Sequence, residues 1–560
     1  MSSLTAVSDN WRSLLALAIG GYLLYQLKQL FDCTIRASWH LRNVPGPPHQ
    51  TYMLGNFGML TSRPPGLGYK DWHDKYGKVV LWRGFFSLPR VSITDKKALN
   101  HILVQQPYEF PKSPFDRRLL ASFLGHGLFV ADGNDHKRQR RVMNPAFGSI
   151  HMKAMYPMFL AKAQKFRDLS LNLIEQSSES PQRASIDLVK HTMKVTLDVI
   201  GAAGFDYDIG AIEGGEQNEL MRAFNTLFAT NRTLPFFILL RRMFPLFDTL
   251  VPDRTQMTRD RKNALETMTR IGKRIVAEKG AAIRAGISSL DGSKSSSVGK
   301  DLISLLLKAN MDEELKPSQR LSDDEVAAQI TTFLLVGNET TATAINWSIY
   351  GMLKYPHVQD ALRAEILSLG TDSPSFNELN DLKYLDAVVR ETLRIYPPTV
   401  GTSRLVAKDC VVPLEAPIVD KSGRTITELF LPRDSIVDIS TATLNLDETV
   451  WGPDAAEFRP ERWLVNDGEE KSATGKLPEG AFQMPSLASS TFLAGPRSCI
   501  GFRLAMIEMK VVLFALIQSI KFESAVPIED IESNIFIVTF PQVKTQRQKG
   551  AHLPVFISRV

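Results

Sequence analysis

Cysteine is scarce in this chain: Cys33, Cys410 and Cys499 are the only three in 560 residues. Three scattered thiols cannot make a disulfide framework, so a reducing compartment is expected. The chain also lacks an apolar run of the ~20 residues that normally cross a bilayer. It has no glycine-rich dinucleotide fingerprint, which excludes a built-in nicotinamide site of that type. Charge of one sign is only mildly in excess, 66 Lys and Arg against 60 Asp and Glu, for a net charge of +6. That balance suits an anionic membrane surface or an acidic protein partner; nucleic acid is the alternative for a basic chain, but no nucleic-acid motif accompanies it.

What is present describes a globular chain, 44% hydrophobic and 22% charged, long enough to bury one continuous helical core. The longest N-terminal apolar stretch runs from Ser13 to Leu27. A cleaved signal peptide and an interfacial helix are both open for so short a run, and an uncleaved anchor is the favoured reading. Lys28, Arg36 and Arg42 follow the run whereas Arg12 alone precedes it, which puts the body of the protein on the cytoplasmic side. A hinge, Val44-Pro45-Gly46-Pro47-Pro48, then divides an anchor and basic linker (1–43) from the main body (44–560).

The most specific stretch lies near the C-terminus: Phe492-Leu493-Ala494-Gly495-Pro496-Arg497-Ser498-Cys499-Ile500-Gly501. A cysteine between glycines, just before the apolar helical run Phe502 to Ile517, sits at a positive helix end that favours a thiolate, and a thiolate is a good ligand for a soft or borderline metal. Gly495 and Gly501 allow tight turning and bring N–H groups near the sulfur, while Phe492 is placed to shield it from water. The plainer alternative is a small buried hydrophobe in a Gly/Pro turn.

Ser322-Asp323-Asp324-Glu325 is a capping box, and mostly apolar helical sequence follows it to Lys354. In the middle stands Val336-Gly337-Asn338-Glu339-Thr340-Thr341, whose acid and hydroxyls need a partner or a purpose in so apolar a helix. A helix predicted from Leu382 to Tyr396 carries Glu391 and Arg394 at the i, i+3 spacing of an ion pair, and Phe458-Arg459-Pro460-Glu461-Arg462-Trp463 follows. Short runs such as Val79 to Trp82 and Val91 to Ile93, and the segment Val411 to Ile439, read as strands.

Phe-x-x-Gly-x-Arg-x-Cys-x-Gly resembles the haem-binding loop of the cytochrome P450 family at every fixed position, and the other motifs appear in the family's order. The resemblance covers Pro45 to Val560. It implies a mainly α fold with a small β region, the cytochrome P450 fold with an N-terminal membrane anchor, and haem b with Cys499 as axial thiolate. It implies that Arg497, Arg140 and Arg404 meet haem propionates, that Thr340 faces the oxygen while Glu339 relays protons through water, and that Glu391, Arg394 and Arg462 form a buried structural network. Val336 stands where the family has a small residue, and His136 where it has tryptophan. Lys137, Arg138 and Arg141 would form a docking face for an acidic electron donor, and the apolar stretch from Phe224 to Phe247 a lid. Residues 287–297 read as a flexible surface loop, and 466–490 as a long loop leading into the haem motif. The sequons at Asn231, Asn338 and Asn346 are expected to stay unmodified.

The implied activity is a haem-thiolate monooxygenase that hydroxylates or epoxidises a lipophilic small molecule with dioxygen. Electrons come from NADPH through a separate cytochrome P450 reductase, and the resemblance admits cytochrome b5 beside it. The endoplasmic reticulum membrane is the implied location, with the catalytic domain facing the cytoplasm. The wording around Lys300 to Gln319 and Glu391 to Thr399 looks most like fungal members, hence terpenoid or similar secondary metabolism. A haem-thiolate isomerase or dehydratase and a non-enzymatic haem carrier or sensor are the other readings.

Overall fold

The computed structural model describes residues 34–177, 183–214, 218–229, 255–288, 301–311, 316–464 and 490–560, together with positions 14, 17, 20, 21, 25 and 28. Most of the apolar run 13–27, the expected lid beyond residue 229, most of loop 287–297 and nearly all of 466–490 lie outside the described residues. Among the described residues no helix is long and apolar enough to cross a membrane.

The chain divides into two compact units, and the expected main body 44–560 runs through both. The smaller holds Met1–Arg63, Leu67–Pro111 and Thr402–Ser440. Its centre is a four-stranded sheet in the order Val79–Arg83, Pro89–Ile93, Ile436–Ile439, Thr402–Leu405. The second and third strands run parallel and the outer pairings are antiparallel. Trp82 packs with Trp72 and Val80, and its Nε1 donates to Asp438 at 3.0 Å. Asp438 also accepts from Arg90 Nε (2.9 Å) and Ser403 Oγ (2.7 Å), so its buried charge is paired and hydrogen-bonded, the condition for tolerating it. Cys410–Val419 and Thr425–Leu431 form a separate antiparallel pair.

The larger unit holds Pro64–Gly66, Lys112–Gly401 and Thr441–Val560. Its helices relevant here are α1 (Gly133–Met143), α2 (Ser149–Glu175), α3 (Leu188–Phe205), α4 (Gln256–Ser288), α5 (Asp323–Lys354), α6 (Lys383–Ile395) and α7 (Phe502–Ile517). Helix α5 starts at the capping box: Ser322 Oγ accepts from Glu325 N, and Glu325 Oε2 accepts from Ser322 N at 2.9 Å. It stops where Pro356 denies the next turn its N–H. With 32 residues at ~1.5 Å each it is nearly 50 Å long, and it packs against α3, α4, α6 and α7. Helix α7 lies on α2 and α6. Strands Arg183–Asp187, Pro554–Arg559 and Ile520–Ser524 make an antiparallel sheet, and Ile531–Ile535 pairs with Thr539–Val543.

Part of the odd chemistry in the middle of α5 is explained by α3. Thr196 Oγ1 bonds Asn338 Oδ1, and Thr192 Oγ1 bonds Asn346 Oδ1 at 2.9 Å. A Cβ on Gly337 would come within 3.1 Å of Ile200 Cδ1, so glycine here serves close helix packing. Asn338 and Asn346 are fully buried, out of reach of a glycosylating enzyme in the folded protein.

Candidate active site

Between Gln329 and Ile349, every residue of α5 is buried except Val336, Gly337 and Thr340. Val336 and Thr340 are four apart and share a face, and Phe333 lies one turn before on the same face. The packed protein thus leaves an opening along this stripe. Phe333 meets Phe147 edge-on, with ring centroids 5.5 Å apart. A Cβ built on Gly501 would meet only Phe147, at 4.0 Å. Phe147 thus stands between Phe333 on this face of α5 and the Gly501 position of the cysteine loop. Glu339, about 100° round the helix, is buried.

Thr340 Oγ1 donates to the Val336 carbonyl at 2.8 Å, the usual back-bond of a helical threonine. That bond occupies its one proton and leaves its lone pairs as acceptors toward the opening.

Cys499 is exposed by surface area, yet the protein packed around it pushes its thiol pKa up. The Gly501 N–H and the positive charge of Arg140 act in the opposite direction on the sulfur, favouring thiolate. Gly495 has φ +73°, the left-handed region that favours glycine, and Leu493 takes φ +57° at a local cost of about 1–3 kcal/mol. Gly501 has φ −88°, which any residue adopts, so tight turning is not the reason for glycine there; the absent side chain leaves a flat surface beside the sulfur. Phe492 is half-buried, its ring centroid 6.3 Å from that of Phe502, and its carbonyl accepts from Cys499 N at 2.9 Å.

The arginines divide. Arg497 bonds Asp132, the N-cap of α1, and its side chain is almost fully buried. Arg140 donates through Nη1 to the Ser498 carbonyl (2.6 Å) and through Nε to Asn144 Oδ1 (2.7 Å). Arg404 is buried in the sheet of the smaller unit, donating to Thr402 Oγ1 (2.5 Å) and the Ser403 carbonyl (2.9 Å). His136 is buried near Arg497, Lys112 and Arg140; burial first and those cations second lower its pKa to about 3, so it is neutral at physiological pH.

The docking-face expectation needs correction at Arg138. Its guanidinium turns inward onto Glu325, with Nη2 2.5 Å from Oε1 and Nη1 2.9 Å from Oε2, and also donates to the Arg320 carbonyl. Gln139 bonds both Glu325 and Gln329, so α1 is fastened to the first turns of α5. Spacing along α1 shows that Arg138 shares a face with its neighbours but not that an acid 187 residues away packs there. The Arg138 hydrogen bond holds the Glu325 carboxyl at about 2, against an ordinary 4.5. A lowered carboxylate contributes stability fully above its unfolded value and loses it as pH falls through its folded value. Glu325→Gln should therefore lower the urea midpoint at neutral pH, and the gap from wild type should close between about pH 4.5 and 2. A gap that does not change with pH would contradict this assignment.

The buried network is built on α6. Glu391 and Arg394 are fully buried and the Arg462 side chain is 7% exposed. Glu391 accepts from Arg394 Nη2 (2.8 Å) and Nε (2.9 Å) and from Arg462 Nε (2.9 Å). Three members were not singled out from sequence: Trp463, whose Nε1 donates to Glu391 at 2.8 Å, Asn445 and Thr491. Asn445 Nδ2 donates to Thr491 Oγ1 (2.9 Å), Thr491 Oγ1 donates to the Leu393 carbonyl (2.6 Å), and Ser490 donates to Asn445 Oδ1. These bonds tie the start of the cysteine loop to the end of α6. Position next to Pro460-Glu461-Arg462 is the one sequence signal that could have marked Trp463.

Among the described residues no group of three or more His, Cys, Asp or Glu side chains is gathered to hold a metal ion. A flat group fits the Cys499 donor, the open face at Gly501 and the buried arginine and histidine groups around α1.

The sequence profile of the cytochrome P450 family matches residues 45–547. Cytochrome P450 monooxygenase 128 of Postia placenta is 37% identical over 525 residues, 93% of each chain. Cytochrome P450 monooxygenase claQ of Ampulloclitocybe clavipes is 30% identical, covering 92% of each chain. Ganoderic acid synthetase of Ganoderma lucidum is 31% identical over 86% of this chain and 88% of its own.

Proposed function

The chain belongs to the cytochrome P450 family and is a haem-thiolate monooxygenase, and from that premise we propose that Cys499 is the axial ligand, that Thr340 and Glu339 manage protons, and that the substrate is a lipophilic small molecule of fungal secondary metabolism. The observation that carries this reading is that Phe147, the neighbour a side chain at Gly501 would meet, packs on Phe333 beside the partly exposed Val336 and Thr340 of α5.

When bound, haem supplies dioxygen activation, and a thiolate pushes electron density towards it. The chain supplies the rest. Gly495 and Gly501 would leave room for the macrocycle beside the loop, and Arg497 and Arg140 of the same unit would be the cations for its carboxylates. Thr340 would accept a hydrogen bond from a donor in the opening, because its own O–H points at the Val336 carbonyl. Glu339 exchanges protons with that hydroxyl through water, since adjacent helical residues cannot face one point. Val336 narrows the opening beside Thr340.

Two features support membrane attachment at the endoplasmic reticulum. Basic residues flank the cytoplasmic side of the N-terminal run. Just beyond it, Ile35, Trp39, Tyr52, Met53 and Leu54 are exposed, a density of large apolar groups that suits an interface. NADPH-cytochrome P450 reductase is the proposed electron donor, with cytochrome b5 as an additional one. The named product of the Ganoderma lucidum relative supports a terpenoid-like substrate. With purified reductase, NADPH and dioxygen should be consumed with product for a substrate that shifts the haem spectrum. Thr340→Ala should keep NADPH consumption within about twofold while moving most reducing equivalents from product to peroxide. Unchanged coupling would remove Thr340 from the mechanism.

A further inference from the structure

The peptide joining Ser498 to Cys499 is held at both of its polar ends. Its carbonyl accepts from Arg140 Nη1 at 2.6 Å, and its N–H donates to the Phe492 carbonyl at 2.9 Å. The plane of this peptide sets the direction in which the Cys499 side chain leaves the backbone. Arg140 is itself aimed: Asn144, one turn on and exposed, takes its Nε at 2.7 Å. Helix α1 is in turn pinned by Arg138 and Gln139 to Glu325 and by Asp132 to Arg497. The guanidinium is thus held at the peptide bond that leads into the cysteine, where its charge favours the thiolate.

We propose that Arg140 is a positioning residue for the Cys499 sulfur, fixing the Ser498–Cys499 peptide and placing a permanent positive charge beside it, with Asn144 as the residue that aims it. The inference rests on Cys499 being the axial ligand. A fixed cation and an ordered ligand peptide both bear on the metal: hydrogen bonds and net charge near a sulfur ligand set its reduction potential, and ligand-orienting partners matter nearly as much as ligands. A positive charge favours the more electron-rich state, so its loss or displacement makes one-electron reduction of the ferric haem harder.

The test is a spectroscopic redox titration of the haem-loaded full chain, with haem release to a scavenger protein followed in parallel. Arg140→Gln should lower the equilibrium constant for reduction about tenfold, or ~59 mV for a one-electron couple. Asn144→Ala keeps the guanidinium and changes an exposed side chain; it should shift the same equilibrium the same way by about threefold, or ~28 mV. Potentials unchanged in both variants would overturn the proposal, as would a shift in Arg140→Gln with faster haem release and none in Asn144→Ala, the result expected of a carboxylate anchor alone. The carbon-monoxide difference spectrum of the same samples separates the two levels. A red-shifted band in wild type with unmoved potentials removes only the role of Arg140, whereas its absence in wild type removes the ligand assignment and this inference with it.

Discussion

Replacing Glu391 with alanine is expected to abolish haem incorporation and to destabilise the fold by about 3–5 kcal/mol, the cost of leaving buried charge without its partner. The two carboxylate oxygens receive five donors: two from Arg394, one from Arg462, the Trp463 indole and the Arg459 backbone N–H at 2.9 Å. Without the acid, Arg394 stays fully buried with only the carbonyls of Asn445, Ala455 and Glu457. Carbonyl dipoles do not neutralise a guanidinium, so water must enter or the helix must shift. The effect reaches the haem loop because Arg394 holds the Asn445 carbonyl while the Asn445 side chain holds Ser490 and Thr491, the two residues before Phe492. Glu391→Gln keeps the shape and loses the charge, so it should fail in the same direction. The haem-to-protein absorbance ratio and the urea midpoint measure both effects. A full haem complement in Glu391→Ala would show that the network does not support the loop.

Local features of the sequence were good guides wherever the physics itself is local. The capping box at Ser322 and the proline at 356 bound α5 at the residues observed, because both act within one turn. The i, i+3 spacing of Glu391 and Arg394 sufficed to pair them. The orientation of α5 also follows from helical periodicity, which alone separates Thr340 from Glu339. The features that escaped depend on partners distant in the chain. Arg138 looked like part of a basic surface because its neighbours are basic, and Glu325, which turns it inward, belongs to another helix. Asn445 and Thr491 are ordinary polar residues until folding sets them side by side. Gly337 and Asn338 seemed chemically odd within α5, whereas their reason lies on α3, in Ile200 and Thr196. The stretches read from sequence as a lid and an anchor fall largely outside the described residues, from 230 to 254 and before 34, so their reading rests on composition.

The second large effect concerns the cysteine itself. Cys499→Ser changes one atom, and the contacts that shape its loop survive: Arg140 holds the Ser498 carbonyl, and the residue 499 N–H still reaches the Phe492 carbonyl. The fold and the buried network should therefore persist, with a urea midpoint close to that of wild type. What is lost is the soft, electron-donating ligand, for which a serine oxygen is no substitute. Product formation with reductase and NADPH should fall by at least about a thousandfold, since thiolate donation promotes the O–O cleavage on which turnover depends. The most direct measurement is the difference spectrum of the reduced protein with carbon monoxide. Wild type should show the red-shifted band of a thiolate-ligated haem and Cys499→Ser should not; retention of that band in the serine variant would contradict the ligand assignment and the function built on it.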